Sequence, residues 1–327
     1  MSKKVLRNVY RVLITIVVTI AILVCFLYGV MAMLVYGPSK TARTEFVLSV
    51  RETSAIGFFA NMFLSQEEID AIEESNSIKD TTDVTNTSLV DTESLTGSDS
   101  IEIIDIKGSS FKGKLMIIDD PSRLFVGTVE TFYEGDGSVV SEIAERYGAI
   151  AGINGGEFVD GVTTYTAMPV GLVMVNGEVL NGDEGETYHV TGISYDNKLV
   201  LGNMTIEKAK ELGIRDCVSI SSSIGPFLIV NGQMQDVSGT GGGLNPRTAI
   251  GQTADGKILL LVADGRQITG MGASFADLQE IMAQYGAVNA SVMDGGTSTQ
   301  MYYNGEVINN PYLPTGPRSC PTAFLIK

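Results

Sequence analysis

The N-terminal segment limits the folding of this chain more than any other feature of the sequence. Residues 12–36 form a run of 25 residues without a charged side chain. A helix rises ~1.5 Å per residue, so a run of this length crosses the ~30 Å hydrocarbon core of a bilayer. The apolar region of a cleaved signal peptide is shorter, at ~7–15 residues. The sequence therefore predicts a tail over residues 1–11 and a transmembrane signal anchor over residues 12–36, with a cleaved signal peptide as the alternative.

Charged residues before this run predict its orientation. Lys3, Lys4, Arg7 and Arg11 lie in the first 11 residues, which contain no acidic residue. Because basic residues are enriched on the cytoplasmic side of membrane helices, we expect a cytoplasmic N-terminus and an extracellular C-terminal domain. The predicted location is the cell membrane, crossed once, and the lipid bilayer is the partner of residues 12–36.

The composition excludes several classes of protein. The net charge of -16 argues against a nucleic-acid partner, because a phosphate backbone requires a basic face. One His and three Cys are too few for a His-rich zinc centre or a dense disulfide framework. His189 has no nucleophile beside it in a recognisable motif, so we expect a structural role. Cys217 and Cys320 would face an oxidising exterior, where they are able to pair.

The segment after the membrane run divides into a helical part and a polar part. Residues 46–75 carry apolar side chains at helical spacing, and Ser65 with Glu68 resembles a capping box that begins a helix. We expect residues 37–75 to form a juxtamembrane stalk that packs on itself or on a second copy of the chain. Residues 76–100 are rich in Ser, Thr and Asp, a composition typical of a flexible linker. The globular domain is then predicted over residues 101–327.

Turn signals in this domain predict many short antiparallel strands. Asn-Gly and Asp-Gly pairs supply the positive φ angles that tight hairpins need, and four of them separate apolar runs. Two amphipathic helices, predicted at 139–147 and 274–285, each end in a Tyr-Gly pair. The fold class is therefore α+β, with a large mixed or antiparallel sheet and few helices. The four turns are Asn176-Gly177, Asn231-Gly232, Asp255-Gly256 and Asn304-Gly305.

Polar residues border several apolar runs of the predicted sheet. One such segment would be an ordinary turn, but several with a carboxylate, amide or Arg favour a shared site. Glycine pairs within two of the segments allow close approach of a ligand and offer N–H groups to an anion. The segments are Asn154-Gly155-Gly156-Glu157, Asn245-Pro246-Arg247-Thr248, Asp264-Gly265-Arg266, Asp294-Gly295-Gly296-Thr297-Ser298 and Pro317-Arg318.

These segments resemble, in order and spacing, the motifs of the phosphodiester glycosidase family over residues 147–327. Residues 154–158 are similar to that family's "NGGFF" segment, and Arg318 matches its Arg before the last strand. Glu157 stands where the family commonly has an aromatic residue, and Thr297 where a third Gly is common. The resemblance implies the family's fold and a hydrolase that cleaves sugar-1-phosphodiesters between sugar and phosphate.

The residues suit that chemistry. Arg247 and Arg318 would bind the phosphate, because a guanidinium matches its oxygens bidentately. Asp294 and Asp264 would act as base or nucleophile, or would stabilise an oxocarbenium-like centre. Glu157 is a further acid or base. Because phosphate is already a weakly basic leaving group, one carboxylate and an Arg pair would suffice.

The remaining predicted site residues would bind substrate. Asn154 and Ser298 would contact sugar hydroxyls or orient the carboxylates. The other members of the predicted substrate-binding set are Gly155, Gly156, Thr248, Gly295 and Gly296.

No cofactor is required by this interpretation. The oxygens of Asp264, Asp294, Glu157 and Asn154 are nevertheless of the kind that calcium or magnesium binds. The expected partner is a sugar-phosphate polymer or glycan of the cell envelope. The alternative function is a non-catalytic carbohydrate-binding or exopolysaccharide-assembly module on the same fold, since fold similarity alone does not transfer activity.

Overall fold

A computed structural model describes residues 3–51, 56–76, 81–93, 97–159, 165–237, 243–267, 270–311 and 316–327. Short 3-10 helices lie at Thr87–Leu89, Pro121–Arg123 and Gly296–Ser298. The α-helices are α1 (Lys3–Tyr36), α2 (Lys40–Arg51), α3 (Phe58–Asn61), α4 (Gln66–Ser75), α5 (Val140–Tyr147), α6 (Ile206–Glu211) and α7 (Phe275–Gln284).

The strands all lie after residue 100 in the described part of the chain. They are β1 (Ile101–Lys107), β2 (Lys112–Ile118), β3 (Leu124–Thr128), β4 (Ala151–Asn154), β5 (Val173–Val175), β6 (Glu178–Asn181), β7 (Tyr188–Ser194), β8 (Leu199–Met204), β9 (Ile214–Ser219), β10 (Phe227–Val230), β11 (Gln233–Met234), β12 (Arg247–Thr253), β13 (Ile258–Ala263), β14 (Ala287–Met293), β15 (Met301–Tyr303), β16 (Glu306–Val307) and β17 (Thr322–Ile326).

The strands form three antiparallel sheets. The first has the order β1-β2-β13-β12-β14-β10-β11, the second β16-β15-β4-β17-β3, and the third β6-β5-β9-β7-β8. Each of the four predicted hairpin turns joins two paired strands. Asn176, Asn231 and Asn304 have φ of 51°, 55° and 48°, as two-residue hairpin turns require. The α+β class predicted from the sequence is confirmed.

One hydrophobic core lies between the inner faces of the three sheets. Ile153 of β4, Leu201 of β8 and Ile250 of β12 all belong to it, and each is fully buried. Helices cover the outer faces: α7 packs on the first sheet, α5 on the second and α6 on the third. This arrangement places the last residues of β4 and β14 beside the first residues of β12 and β17.

Local signals fix the helix ends. Gly148, after α5, has φ of 64°, and Gly286, after α7, has φ of 81°, so both predicted C-terminal glycines adopt the left-handed conformation. At the start of α7, Ser274 and Asp277 form a capping box. The capping box predicted from Ser65 and Glu68 is also present, at the start of α4.

The N-terminal region contains one helix, among the described residues, that is long and apolar enough to cross a membrane. That stretch, Arg7–Tyr36, has 30 residues, and its most apolar 18-residue window has a mean hydropathy of 2.8 and no buried residue. Helices α2, α3 and α4 then pack against the end of α1 around Val47, Phe63 and Ile69. The stalk therefore buries its apolar face within the chain, and its self-association remains a prediction.

Residues 81–93 lie against the globular domain, which corrects the expectation of a flexible linker for this part. Thr85 donates its N–H to the Leu201 carbonyl at 3.0 Å, and its hydroxyl accepts the Leu201 N–H at 2.9 Å. The Asn231 side chain bonds to the backbone of residues 84 and 86. Val90 is only 3% exposed. The contact depends mainly on backbone hydrogen bonds, which any residue type can form. The polar composition of the segment therefore gave no sign of it.

The cysteines of the domain are unpaired. Cys217 lies on β9 in the core beneath α6, whereas Cys320 lies in the core beneath α5, and both thiols are buried and free. Burial raises the pKa of Cys320 to about 12, so this thiol stays protonated and unreactive. The disulfide considered from the sequence is not formed.

The packing of residues 81–93 is testable with a matched pair of variants. Val90→Ala should destabilise the domain by ~1–2 kcal/mol, because it removes buried methyl groups. Leu89→Ala is the control, since Leu89 is 42% exposed. Thermal unfolding should show a melting temperature lower by ~2–6 °C for Val90→Ala and little changed for Leu89→Ala. Equal, negligible effects would show that the segment does not pack on the domain.

Candidate active site

The predicted polar segments lie at one end of the first two sheets. Strand β4 ends at Asn154, and β14 ends just before Asp294, whereas β12 begins at Arg247 and β17 at Thr322. Because β12 pairs antiparallel with β14, and β17 with β4, these ends and starts meet. The Asp294 N–H donates to the Gly155 carbonyl at 3.2 Å. That hydrogen bond joins the two sheets at the candidate site.

The side chain of Asn154 connects three segments at this junction. Its Nδ2 donates to the Asp294 carbonyl at 2.7 Å. Its Oδ1 accepts the Thr248 hydroxyl at 2.7 Å and the Gln300 N–H at 3.2 Å. Asn154 is 1% exposed, so its main role is to orient the turn that carries Asp294.

The Asp294 carboxyl lies in the centre of the candidate site. Burial is the largest influence and raises its pKa from 3.8 to about 6; hydrogen bonds from the Ser298 hydroxyl and the Gly295 N–H, and the charge of Arg318, oppose this effect. The charge of Glu157 raises the pKa further. Asp294, Ser298, Glu157 and Arg318 are thus brought together, as the sequence predicted. A carboxyl with this pKa changes its charge within the pH range in which many enzymes work.

Two neighbouring side chains fix Glu157 and Arg318. The Glu157 carboxylate accepts hydrogen bonds from the N–H and hydroxyl of Ser221, at 2.8 and 2.7 Å. The Arg318 guanidinium lies 5.0 Å from the centre of the Phe158 ring. Stacking on an aromatic face restricts the orientation of the guanidinium.

The glycine pairs do not offer the N–H groups that the sequence predicted for an anion. Gly155 donates to the Thr322 carbonyl at 2.9 Å, and Gly156 donates to the Thr322 hydroxyl at 3.1 Å. Gly296 donates to the Pro246 carbonyl at 2.8 Å. A Cβ at Gly155 would lie 2.4 Å from the Thr322 hydroxyl oxygen. These glycines are therefore required by the close packing of the strand ends.

Arg247 faces away from the junction, contrary to its predicted pairing with Arg318. Successive residues of a strand point to opposite faces, and Thr248 bonds Asn154 on the inner face. On the outer face, the Arg247 guanidinium lies 4.1 Å from the centre of the Phe275 ring and donates to the Gly243 carbonyl at 3.1 Å. Arg247 is 2% exposed, so a phosphate cannot reach it in this conformation.

Asp264 holds a turn next to the site. Its Oδ1 accepts the Asn309 side-chain amide and the Asn310 N–H, each at 3.0 Å. Burial, the largest influence, raises the pKa of this carboxyl, and the two hydrogen bonds oppose the effect. Asn309 in turn accepts the Met301 N–H at 2.8 Å. These contacts give the Asp264 side chain a structural role at this turn.

The carboxylates considered as metal ligands do not form a metal site in the described part of the chain. No group of three or more His, Cys, Asp or Glu side chains lies close enough there to hold an ion. Asp264 has different neighbours from Asp294 and Glu157. A calcium or magnesium ion at these oxygens remains a prediction.

Several residues that the sequence interpretation did not select complete the site. Ser221 holds Glu157, and the Gln300 side chain bonds the Arg318 carbonyl at 2.7 Å and the Val140 N–H at 3.1 Å. The Arg266 guanidinium bonds the Asn245 side chain at 2.9 Å. Arg266 belongs to the polar segment Asp264-Gly265-Arg266, although no site role was predicted for it, and Gln300 lies two residues after Ser298. Their positions in and near these segments were the available signal. Ser221 had none, because its loop precedes a different strand.

His189 has the structural role that we expected. Its ring stacks on Phe227, with 3.6 Å between ring centres. Its two nitrogens lie 2.9 Å from the Asn203 Oδ1 and 3.1 Å from the Gly225 carbonyl. The ring is 8% exposed and lies in the third sheet, on β7.

The pKa of Asp294 predicts how stability depends on pH. The folded state binds a proton at pH 4–6 that the unfolded state has released, so this carboxyl makes stability fall as pH rises through that range. One pKa unit corresponds to ~1.4 kcal/mol, so the shift from 3.8 to about 6 makes the ionised group cost on the order of 3 kcal/mol at neutral pH.

Asp294→Asn should therefore raise the melting temperature at pH 7.5 relative to the natural chain and change it little at pH 4. Thermal unfolding of both chains at the two pH values measures this difference. A variant that is equally destabilised at both pH values would contradict the raised pKa.

The fold is similar to those of two solved structures. The catalytic domain of zebrafish N-acetylglucosamine-1-phosphodiester alpha-N-acetylglucosaminidase, auto-inhibited by its pro-peptide, matches with a TM-score of 0.59 and 20% identity, over 75% of this chain and 87% of that one. A putative exported protein from Burkholderia pseudomallei K96243 matches with a TM-score of 0.50 and 17% identity, over 66% of this chain and 74% of that one. At these identities the likeness concerns the fold.

Two proteins are similar in sequence. Mouse N-acetylglucosamine-1-phosphodiester alpha-N-acetylglucosaminidase is 25% identical over 225 residues, which are 63% of this chain and 42% of the mouse protein. The SPbeta prophage-derived uncharacterized protein YomE of Bacillus subtilis (strain 168) is 38% identical over 66 residues, which are 20% of this chain and 10% of that protein. The chain thus spans less than half the length of either relative.

The family model described as phosphodiester glycosidase matches residues 147–327. That range contains the strand ends at Asn154, Asp294 and Arg318, and it coincides with the segment whose motifs resembled this family. The resemblance inferred from the sequence is confirmed, and the chain belongs to the phosphodiester glycosidase family.

Proposed function

We propose that this protein hydrolyses sugar-1-phosphodiesters at the bond between the anomeric carbon and the phosphate. The observation that carries the proposal is the junction at which Asp294 bonds the Gly155 carbonyl, two residues before Glu157, while Arg318 stacks on Phe158. The charges of Glu157 and Arg318 both act on the Asp294 carboxyl there. Membership of the phosphodiester glycosidase family and the names of the mouse and zebrafish proteins support the same reaction.

Arg318 would bind the phosphate and stabilise the charge that develops on it. Its guanidinium is positioned by Phe158, and its own carbonyl is bonded to Gln300. When the sugar–oxygen bond breaks, the electron pair goes to the phosphate oxygen, so a fixed positive charge lowers the barrier. This step requires no strong general acid, because the departing phosphate is a weak base.

Asp294 would take the proton from the water that attacks the anomeric carbon. The water oxygen forms the new bond to carbon, the phosphate leaves as a monoester, and the proton is held by the carboxylate. A pKa of about 6 makes Asp294 a stronger base than an ordinary carboxylate while it stays mostly ionised at neutral pH. Glu157 would stabilise the positive charge that develops on the sugar ring.

The same proposal places the domain outside the cell on a membrane anchor. Helix α1 is long and apolar enough to span a bilayer, and the basic residues at its start favour a cytoplasmic N-terminus. The substrates within reach would be envelope polysaccharides or related glycans with sugar-phosphate links. The domain boundary would then lie near residue 81, whose carbonyl accepts a hydrogen bond from the Asn203 side chain of the third sheet.

An assay of reducing-sugar release tests the reaction. The full chain in detergent should release sugar from at least one member of a set of sugar-1-phosphodiesters. Asp294→Asn should lower kcat/KM by at least ~10³-fold, on the order of the loss for other essential carboxylates and oxyanion donors. Asp196→Asn is the matched control, because Asp196 lies on an exposed turn, and it should keep full activity.

A variant of Arg318 makes the test more specific. Arg318→Lys should lower kcat/KM by ~10–100-fold, because a lysine cannot bind phosphate bidentately. Full activity of Asp294→Asn would exclude the proposed reaction. Retained glycan binding, with no turnover by the natural chain across the set, would instead favour the non-catalytic carbohydrate-binding module.

The pH profile distinguishes the base from an acid. If Asp294 acts as the carboxylate, kcat/KM should rise about tenfold per pH unit below pH 6 and level off above it. Steady-state rates between pH 4.5 and 8 measure this profile. A rate that falls as the pH rises through 6 would assign Asp294 the opposite role and contradict the mechanism.

A further inference from the structure

A partly open cavity lies at the third sheet and has no part in the steps above. It encloses about 520 Å³ and is bordered by the β5–β6 hairpin, the start of β7 and the turn that carries Tyr133. Its lining includes Tyr133, Tyr188, Asn181, Asp183 and Glu186. This volume is within the range of ordinary small-molecule sites, ~300–1,000 Å³.

The cavity wall is fixed by its own hydrogen bonds. The Asn181 side chain donates to the carbonyls of Pro169 and Gly171 and accepts the hydroxyl of Tyr133. The Tyr188 hydroxyl contacts the backbone of Asp183. The two tyrosines are therefore held in place by their hydroxyl groups, and their rings form preformed surfaces.

Tyr133 has an unusual backbone conformation. Its φ is 65°, a left-handed value that side chains other than glycine and asparagine rarely adopt. Its N–H donates to the Ala167 carbonyl at 2.8 Å, yet its side chain is 53% exposed. Residues held in such conformations cluster at binding sites, and here the conformation presents an aromatic ring to the cavity.

One short segment separates the cavity from Glu157. Pro169 and Gly171 line the cavity, whereas Val170, between them, donates its N–H to the Glu157 carbonyl at 2.9 Å. Pro169 also forms a β-bridge with Phe158, the residue beneath Arg318. Only the segment 169–171 therefore lies between the cavity and the Glu157 backbone.

We infer that this cavity binds a neutral sugar unit of the substrate, next to the unit whose phosphodiester is cleaved. Aromatic rings contact the apolar face of a sugar, while carboxylate and amide oxygens accept its hydroxyl groups. Asp183 and Glu186 would repel a phosphate, so the cavity selects the uncharged part of the chain. The inference rests on the proposed function, and it makes the preferred substrate an oligomer.

Binding of neutral sugars tests the inference without relying on turnover. The probes are diacetylchitobiose, cellobiose and maltose, added to the full chain carrying Asp294→Asn in detergent and followed by ligand-observed NMR. At least one should bind saturably. Tyr133→Ala and the double variant Asp183→Asn with Glu186→Gln should each weaken that binding at least fivefold.

Matched controls separate the cavity from general effects. Tyr195→Ala removes another exposed tyrosine, and Glu184→Gln removes a neighbouring charge that does not line the cavity; both should bind like the parent. Melting temperatures equal to that of the parent chain show that each variant is folded. Absence of binding by all three sugars, or binding unchanged in Tyr133→Ala, would overturn the inference.

A further probe distinguishes this failure from failure of the proposed function. Glucose 1-phosphate should bind through Arg318, so its affinity should fall in Arg318→Lys and stay unchanged in Tyr133→Ala. If the phosphate probe behaves in this way and the neutral sugars do not bind, only the cavity assignment is wrong. If Arg318→Lys leaves the phosphate probe unaffected, the proposed function fails instead.

Discussion

The candidate site depends on the buried side-chain amide of Asn154. It joins the end of β4 in the second sheet to β12 and the Asp294 turn in the first, through hydrogen bonds of 2.7 Å to the Asp294 carbonyl and from the Thr248 hydroxyl. Because an unpaired buried polar group costs ~1–3 kcal/mol, losing this amide would leave the facing groups of both sheets unsatisfied. The position of the Asp294 carboxyl is thus a property of the junction between sheets.

The electrostatics of the site follow from this geometry. The junction partly buries the Asp294 carboxyl, which raises its pKa, while Ser298 and Arg318 limit the rise. Arg318 is also the residue that we propose binds the phosphate, and stacking on Phe158 keeps it in place. Packing that is required by the fold therefore also sets the charge state on which the proposed reaction depends.

Much of this architecture was predictable from local sequence signals. The hairpins at Asn-Gly pairs, the capping box of α4 and the glycine ends of α5 and α7 rest on contacts within a few residues, so the sequence determines them directly. The gathering of Asp294, Glu157 and Arg318 was predictable from repeated polar strand ends. The direction of Arg247 was not, because it depends on which face of β12 meets α7. The packing of residues 81–93 depends on backbone partners in β8 and was equally invisible.

The most direct measurement of the central claim is a titration of the Asp294 carboxyl by carbon NMR, with and without glucose 1-phosphate. The account predicts a pKa of about 6 in the free protein. It also predicts a higher pKa when the sugar phosphate is bound, because a second negative charge then lies beside the carboxylate. A titration that is unchanged by saturating sugar phosphate would show that Asp294 and the phosphate do not share a site, and would contradict the account.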